Sequence, residues 1–185
     1  PAYFSRCLTL TLPVRQQKDS QSTVYLVNLP EEIKKFLPKQ LVESACEINQ
    51  RWVNSQGESW QISYHKAVQL LEKYRDNAKL VITSALHCAA PCIAMGIPVI
   101  LISLDPAENA TRFSALSGIK HFYTIDDLKH RKINFDVNAI DIEELKVAML
   151  KNLKLSIDQE LERDISVGEL RDVRDYIANF SVNEN

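Results

Sequence analysis

The chain has 185 residues, 45% of them hydrophobic and 25% charged, with a formal net charge of −2. That length can bury one full core, and the near-neutral balance excludes a global attraction to nucleic acid or to an anionic membrane surface. No run of about 18 apolar residues spans a bilayer and no signal-peptide pattern opens the chain, so a cytoplasmic protein is expected.

The chain begins at Pro1 without a methionine and enters a strand-like segment at once, which reads as a piece of a longer protein. Residues 3–4 and 7–12 are expected to form short strands. In the second, Leu8, Leu10 and Leu12 alternate with Thr9 and Thr11, the period of a half-buried strand, and Pro13 ends it. Residues 16–22 are polar and loop-like. The apolar run 24–29 predicts a buried strand stopped by Pro30, and 31–37 a short helix ended by Pro38. Residues 41–48 fit a helix or a strand equally. Residues 51–59 read as a loop. Ser63 is placed to cap a helix running to about Asp76, with Ala67, Leu70, Leu71 and Tyr74 as its apolar stripe.

The next segment carries the most information. Two β-rich apolar runs, 80–83 and 98–102, flank a small-residue stretch from Leu86 to Met95 that predicts a helix. Gly96 and Pro98 serve the turn back into strand. Beyond it, 109–117 is expected as a short helix closed by Gly118, and 121–124 as an edge strand. Thr124 to Leu128 reads as a capped turn into another short helix. Residues 141–150 are helical by pattern, and 153–180 form one or two terminal helices. The alternation of strands and helices gives an α/β class with a mainly parallel sheet flanked by helices and right-handed crossovers. The expected division is a domain over 1–150 and a helical extension over 151–185.

The turn Thr83-Ser84-Ala85-Leu86-His87 lies where a parallel sheet usually holds its ligand. The first amides of the following helix lack internal partners and the helix dipole is positive there, so an anion can dock on them. His87 can donate a hydrogen bond or a proton at the same spot, or simply cap the helix. Thr83 and Ser84 are candidate phosphate ligands or caps, and Leu86 contributes its backbone. Arg112 is a candidate second cation, and Asn109, beside Glu108, can bind a sugar or cap. Arg6 faces either a cleft or solvent. Cys7, Cys46, Cys88 and Cys92 fit no zinc spacing and read as reduced thiols, with Cys88 and Cys92 in the core. His65, His121 and His130 carry no metal spacing, and no metal site is expected. The basic run 129–132 reads as a solvated helix end. No Walker motif, GxGxxG, nucleophile elbow or zincin helix is present.

Several segments resemble the polysaccharide pyruvyl transferase family. Residues 2–5 (AYFS) and 7–12 (CLTLTL) are similar to that family's AYFSGCLTLTL segment. Residues 70–74 and 78–84 resemble the helix and strand before its Ser-Arg-Leu-His motif. Leu86-His87-Cys88-Ala89-Ala90-Pro91, then Gly96-Ile97-Pro98-Val99-Ile100, then Arg112-Phe113 and Tyr123-Thr124 continue the likeness over roughly 2–128. The resemblance implies a GT-B-like fold of two Rossmann-like halves, with this chain the C-terminal, donor-binding half and an N-terminal half elsewhere in the same protein. It implies pyruvyl transfer from phosphoenolpyruvate to a sugar of a surface polysaccharide, without a cofactor, and gives His87 the part of donor ligand and candidate acid. Two positions depart from the pattern. Ala85 stands where the motif has Arg, and Arg6 where the segment has Gly. Loss of the guanidinium's bidentate grip leaves open a nucleotide-sugar donor, as in a glycosyltransferase, or a non-catalytic binding module.

Overall fold

The computed structural model describes residues 4–50, 59–105 and 113–182. Five strands, β1 (Thr23–Val27), β2 (Cys46–Ile48), β3 (Ala78–Thr83), β4 (Val99–Ser103) and β5 (His121–Thr124), form one parallel sheet in the order β2-β1-β3-β4-β5. The helices are α1 (Glu31–Lys34), α2 (Lys39–Ser44), α3 (Trp60–Asn77), α4 (Leu86–Ala94), α5 (Ile125–Lys129), α6 (Glu143–Glu160) and α7 (Val167–Asn179). This is the expected α/β, Rossmann-like arrangement.

The strand sequences explain the layering. Alternate residues point to opposite faces, and in β1, β3 and β4 both sets are apolar. Tyr25, Val27, Val81, Val99 and Leu101 face a core shared with Tyr74 of α3, Cys88 and Cys92 of α4, Leu145 and Met149 of α6, and Ile177 of α7. Leu26, Leu80, Ile82, Ile100 and Ile102 face a second core with Ile33, Leu37 and Leu128. A sheet covered on both sides needs such unbroken apolar strands. Behind α4 the chain reverses through Gly96, whose φ of +69° suits a residue without Cβ. There Ile97 N donates to Cys92 O at 2.9 Å and Gly96 N to Ile93 O at 3.0 Å.

Several boundaries differ from expectation. The Leu/Thr alternation does not make a strand. Leu8–Thr11 is a 3₁₀ turn, with Leu10 N bonded to Cys7 O at 2.9 Å, Leu10 fully buried and Leu8 exposed. Of the strand expected over 3–4, Phe4 is likewise outside any strand, and Tyr3 lies outside the described residues. Residues 41–48 take both forms, since α2 ends at Ser44 and β2 starts two residues later. Helix α3 begins after Ser59, one turn before Ser63. The loop expected over 51–59 lies outside the described residues except for Ser59. Of the helix expected over 109–117, the described part is a 3₁₀ turn at Ser114–Leu116, followed by Gly118 at φ +72°. The helical stretches expected on either side of residue 150 are one continuous helix, α6. Its Lys146 is buried and donates from Nζ to Ala94 O at 2.7 Å, which fixes α6 to the end of α4. Thr124 caps α5 in a reciprocal box with Asp127, as its position in the sequence suggested.

Arg6 faces neither a cleft nor open solvent. Its residue has a left-handed φ of +59° and is 9% exposed. The guanidinium donates to Ile177 O at 2.8 Å, Ser117 O at 2.7 Å and Phe180 O at 2.9 Å. It thereby joins the N-terminal segment, the turn before β5 and the end of α7. A family pattern with glycine here fits the left-handed backbone, which glycine adopts without strain.

Candidate functional site

Chain order and sheet order part company at β1. From β1 the chain moves outward to β2 on one side, then returns to add β3 on the other. Ligands of open parallel sheets bind outside the carboxyl ends of the strands at such a reversal. Here those ends are Val27-Asn28 and Thr83-Ser84.

Side chains stitch the two ends together. Thr83 is fully buried; its Oγ1 donates to Val27 O at 3.0 Å and accepts from Ala85 N at 3.0 Å. Ser84 Oγ donates to Asn28 O at 2.8 Å. Each hydroxyl has spent its hydrogen on a main-chain carbonyl, so neither has one to offer a phosphate oxygen. Asn28 completes the seam in a left-handed conformation at φ +53°, with its N bonded to Ile48 O and its Oδ1 accepting from Gln50 N at 2.7 Å. Sequence reading missed Asn28. The signal was an Asn immediately after an apolar strand, since Asn tolerates the left-handed region better than most residues.

Helix α4 starts from this seam. Ala85 is its N-cap and supplies no side-chain cap. Its carbonyl takes the N–H of Cys88 and of Ala89. Among the described residues, no acceptor outside the helix meets the N–H of Leu86 or His87. From Cys88 to Ala94 the helix is entirely buried, whereas His87 is exposed and Leu86 half-buried. The apolar flank of α4 thus fixes the helix while its first turn stays open. Pro91 lies one turn beyond His87 and has no N–H for the His87 carbonyl. Behind the turn, burial pushes the Cys92 thiol and the Tyr74 phenol up, which keeps both neutral. Both cysteines are fully buried in the core beside Tyr74, where their small-residue setting placed them.

A separate cavity of about 460 Å³ adjoins the other side of Asn28, toward β2 and α1. Its lining includes Lys34, held between Glu31 at 2.6 Å and Glu47 at 2.5 Å. Two carboxylates against one ammonium make this a poor place for a phosphate. Arg112 and Asn109 lie outside the described residues. Among the described residues, no three His, Cys, Asp or Glu side chains are grouped to hold a metal, and no helix is long and apolar enough to cross a membrane.

The model of the family described as polysaccharide pyruvyl transferase matches residues 5–106, more than half the chain. The chain belongs to the polysaccharide pyruvyl transferase family. The matched segment runs from the 3₁₀ turn through β4 and contains both halves of the seam and all of α4. No curated protein and no solved structure matches the chain significantly. In this pyruvyl transferase family member residues 84–87, inside the matched segment, read Ser-Ala-Leu-His.

Proposed function

We propose that this chain is the donor-binding part of a transferase that moves a pyruvyl group from phosphoenolpyruvate onto a sugar of a surface glycan. The observation that carries the reading is the exposed His87 on the uncapped first turn of α4, inside the family-matched segment and beside the sheet's reversal point. The phosphate or carboxylate of the donor docks on the Leu86 and His87 amides, where the helix dipole favours negative charge. In ketal formation two sugar hydroxyls add to the enol carbon, the methylene gains a proton and phosphate departs. His87 supplies a proton to the methylene or to the leaving phosphate. Thr83 and Ser84 act through position, holding the strand ends that aim the turn. Arg112 and Asn109, after β4, add positive charge and a hydrogen bond. An N-terminal half in a GT-B-like pair brings the glycan acceptor, and the reaction takes place in the cytoplasm.

Calorimetric titration with phosphoenolpyruvate tests the proposal. Saturable binding that disappears in His87→Ala supports it. Ala85→Arg restores a bidentate, charge-assisted grip of about 1.5–3 kcal/mol, so the affinity rises about tenfold or more. Silence in the parent and in Ala85→Arg refutes the donor site. That result would favour the second reading, a binding module descended from the enzyme. Its support is the uncharged Ala85 together with the committed hydroxyls of Thr83 and Ser84. A nucleotide-sugar donor predicts binding of nucleoside diphosphates that is lost in His87→Ala.

A further inference from the structure

A strongly basic concavity lies elsewhere, between the α1–α2 connection and the segment that follows α5. It has a volume of about 650 Å³ and is lined by Lys35, Lys39, Lys129 and Arg131 around Phe36, Leu37, Pro38, Leu128, Ile133 and Phe135. Among the described residues no carboxylate lines it, and it shares no residue with the seam or with the first turn of α4. Lys129 reaches Asp126 at 3.2 Å, whereas Lys35, Lys39 and Arg131 form no ion pair among the described residues.

Helix dipoles explain part of this cluster. Lys129 and Arg131 sit at the carboxyl end of α5, and Lys35 at that of α1, where cations are favoured. Lys39 breaks the rule. It is the first residue of α2, at the end where a cation is disfavoured. Arg131 is a second departure. It occupies the left-handed position after α5 at φ +55°, which suits glycine, with Arg131 N bonded to Leu128 O and Lys132 N to Asp127 O. Lys39 thus holds its charge, and Arg131 its backbone, against local preference, and both open on one concavity. Lys35, Lys39 and Arg131, gathered without a counter-charge among the described residues, form a site for an anion.

We infer that this concavity binds a small phosphorylated molecule with a flat body, of the nucleoside diphosphate class. The Arg131 fork and the lysines take the phosphates, and the apolar floor with Phe36 and Phe135 takes the ring. A volume of about 650 Å³ suits a small molecule. This inference does not rest on the proposed pyruvyl donor site.

The test is titration of the chain with ADP and UDP, alongside pyrophosphate, adenosine and an acidic oligosaccharide. Arg131→Gly is the decisive variant, because glycine relieves the left-handed backbone and so removes the cation without harming the fold. The expected result is saturable nucleotide binding that weakens at least tenfold in Arg131→Gly and in Lys39→Gln, with the melting temperature of Arg131→Gly unchanged or raised. Binding persists in His87→Ala, which separates this site from the donor turn. Absent nucleotide binding, or binding indifferent to Arg131→Gly, overturns the inference. So does pyrophosphate binding as tightly as the nucleotides, or an acidic oligosaccharide binding where they do not.

Discussion

Replacing Arg6 by alanine removes a guanidinium that makes three hydrogen bonds of 2.7–2.9 Å to the carbonyls of Ser117, Ile177 and Phe180. Hydrogen bonds to a charged group contribute about 1.5–3 kcal/mol each, which gives roughly 4–9 kcal/mol before offsets. Burying the guanidinium costs part of that, and the same burial lowers its pKa. The expected net loss is about 3–5 kcal/mol, as for other buried charged groups whose partners are left behind. For a domain of this size that lowers the melting temperature by about 6–20 °C. Arg6→Gly separates hydrogen bonding from backbone strain. It loses the same bonds but relaxes the left-handed residue, so it should be less harmful than Arg6→Ala by up to about 1 kcal/mol. Urea denaturation of the three proteins measures both differences. Hydrogen exchange should show amides around 177–182 opening first in Arg6→Ala. A loss below about 1 kcal/mol, or equal stability of the alanine and glycine variants, refutes the reasoning.

Two further predictions concern the same region and the α5 cap. In Gly118→Ala the new Cβ would lie 2.8 Å from Ser181 Cβ and 2.9 Å from Phe180 O, at a φ of +72°. The expected cost is about 2–4 kcal/mol, read from the urea midpoint, and a loss under about 0.5 kcal/mol would contradict the close packing. The Thr124 N–H, followed by its hydroxyl, holds the Asp127 carboxyl below its ordinary range. A depressed folded-state pKa adds stability that is fully present above the unfolded value of about 3.9 and is lost as pH falls through the folded value. Melting temperature should therefore fall below about pH 4 less steeply in Asp127→Asn than in the parent; identical acid slopes would exclude the capping role.

The sequence made β3, α4 and β4 legible because a sheet covered on both faces demands nearly continuous apolar strands, and 80–83 and 98–102 have that character. The Thr124 box was equally plain, since its two members lie three residues apart. The Leu/Thr alternation at 7–12 misled because a strand also needs a neighbour. Here the chain turns at Arg6 and drives Leu10 alone into the core. Residues 41–48 stayed ambiguous because a helix end and a strand start share eight residues. At the candidate site the open turn and His87 were readable from the strand-to-helix switch. The loss of Thr83 and Ser84 as hydrogen donors was not, because their acceptors, Val27 O and Asn28 O, lie 56 residues earlier. The role of Arg6 and the convergence of Lys39 with Arg131 depend on partners still more distant in the chain.

The shared core behind α4 links the tail to the turn that bears His87. Leu145, Met149 and Ile177 press on the same apolar mass as Cys88 and Cys92, and Lys146 grips the last residue of α4. Trimming the chain before α6 would bare the back of the His87 helix to water and leave Ala94 without its ammonium clasp. Damage to the tail is therefore damage to the turn that bears His87, although more than fifty residues separate them along the backbone.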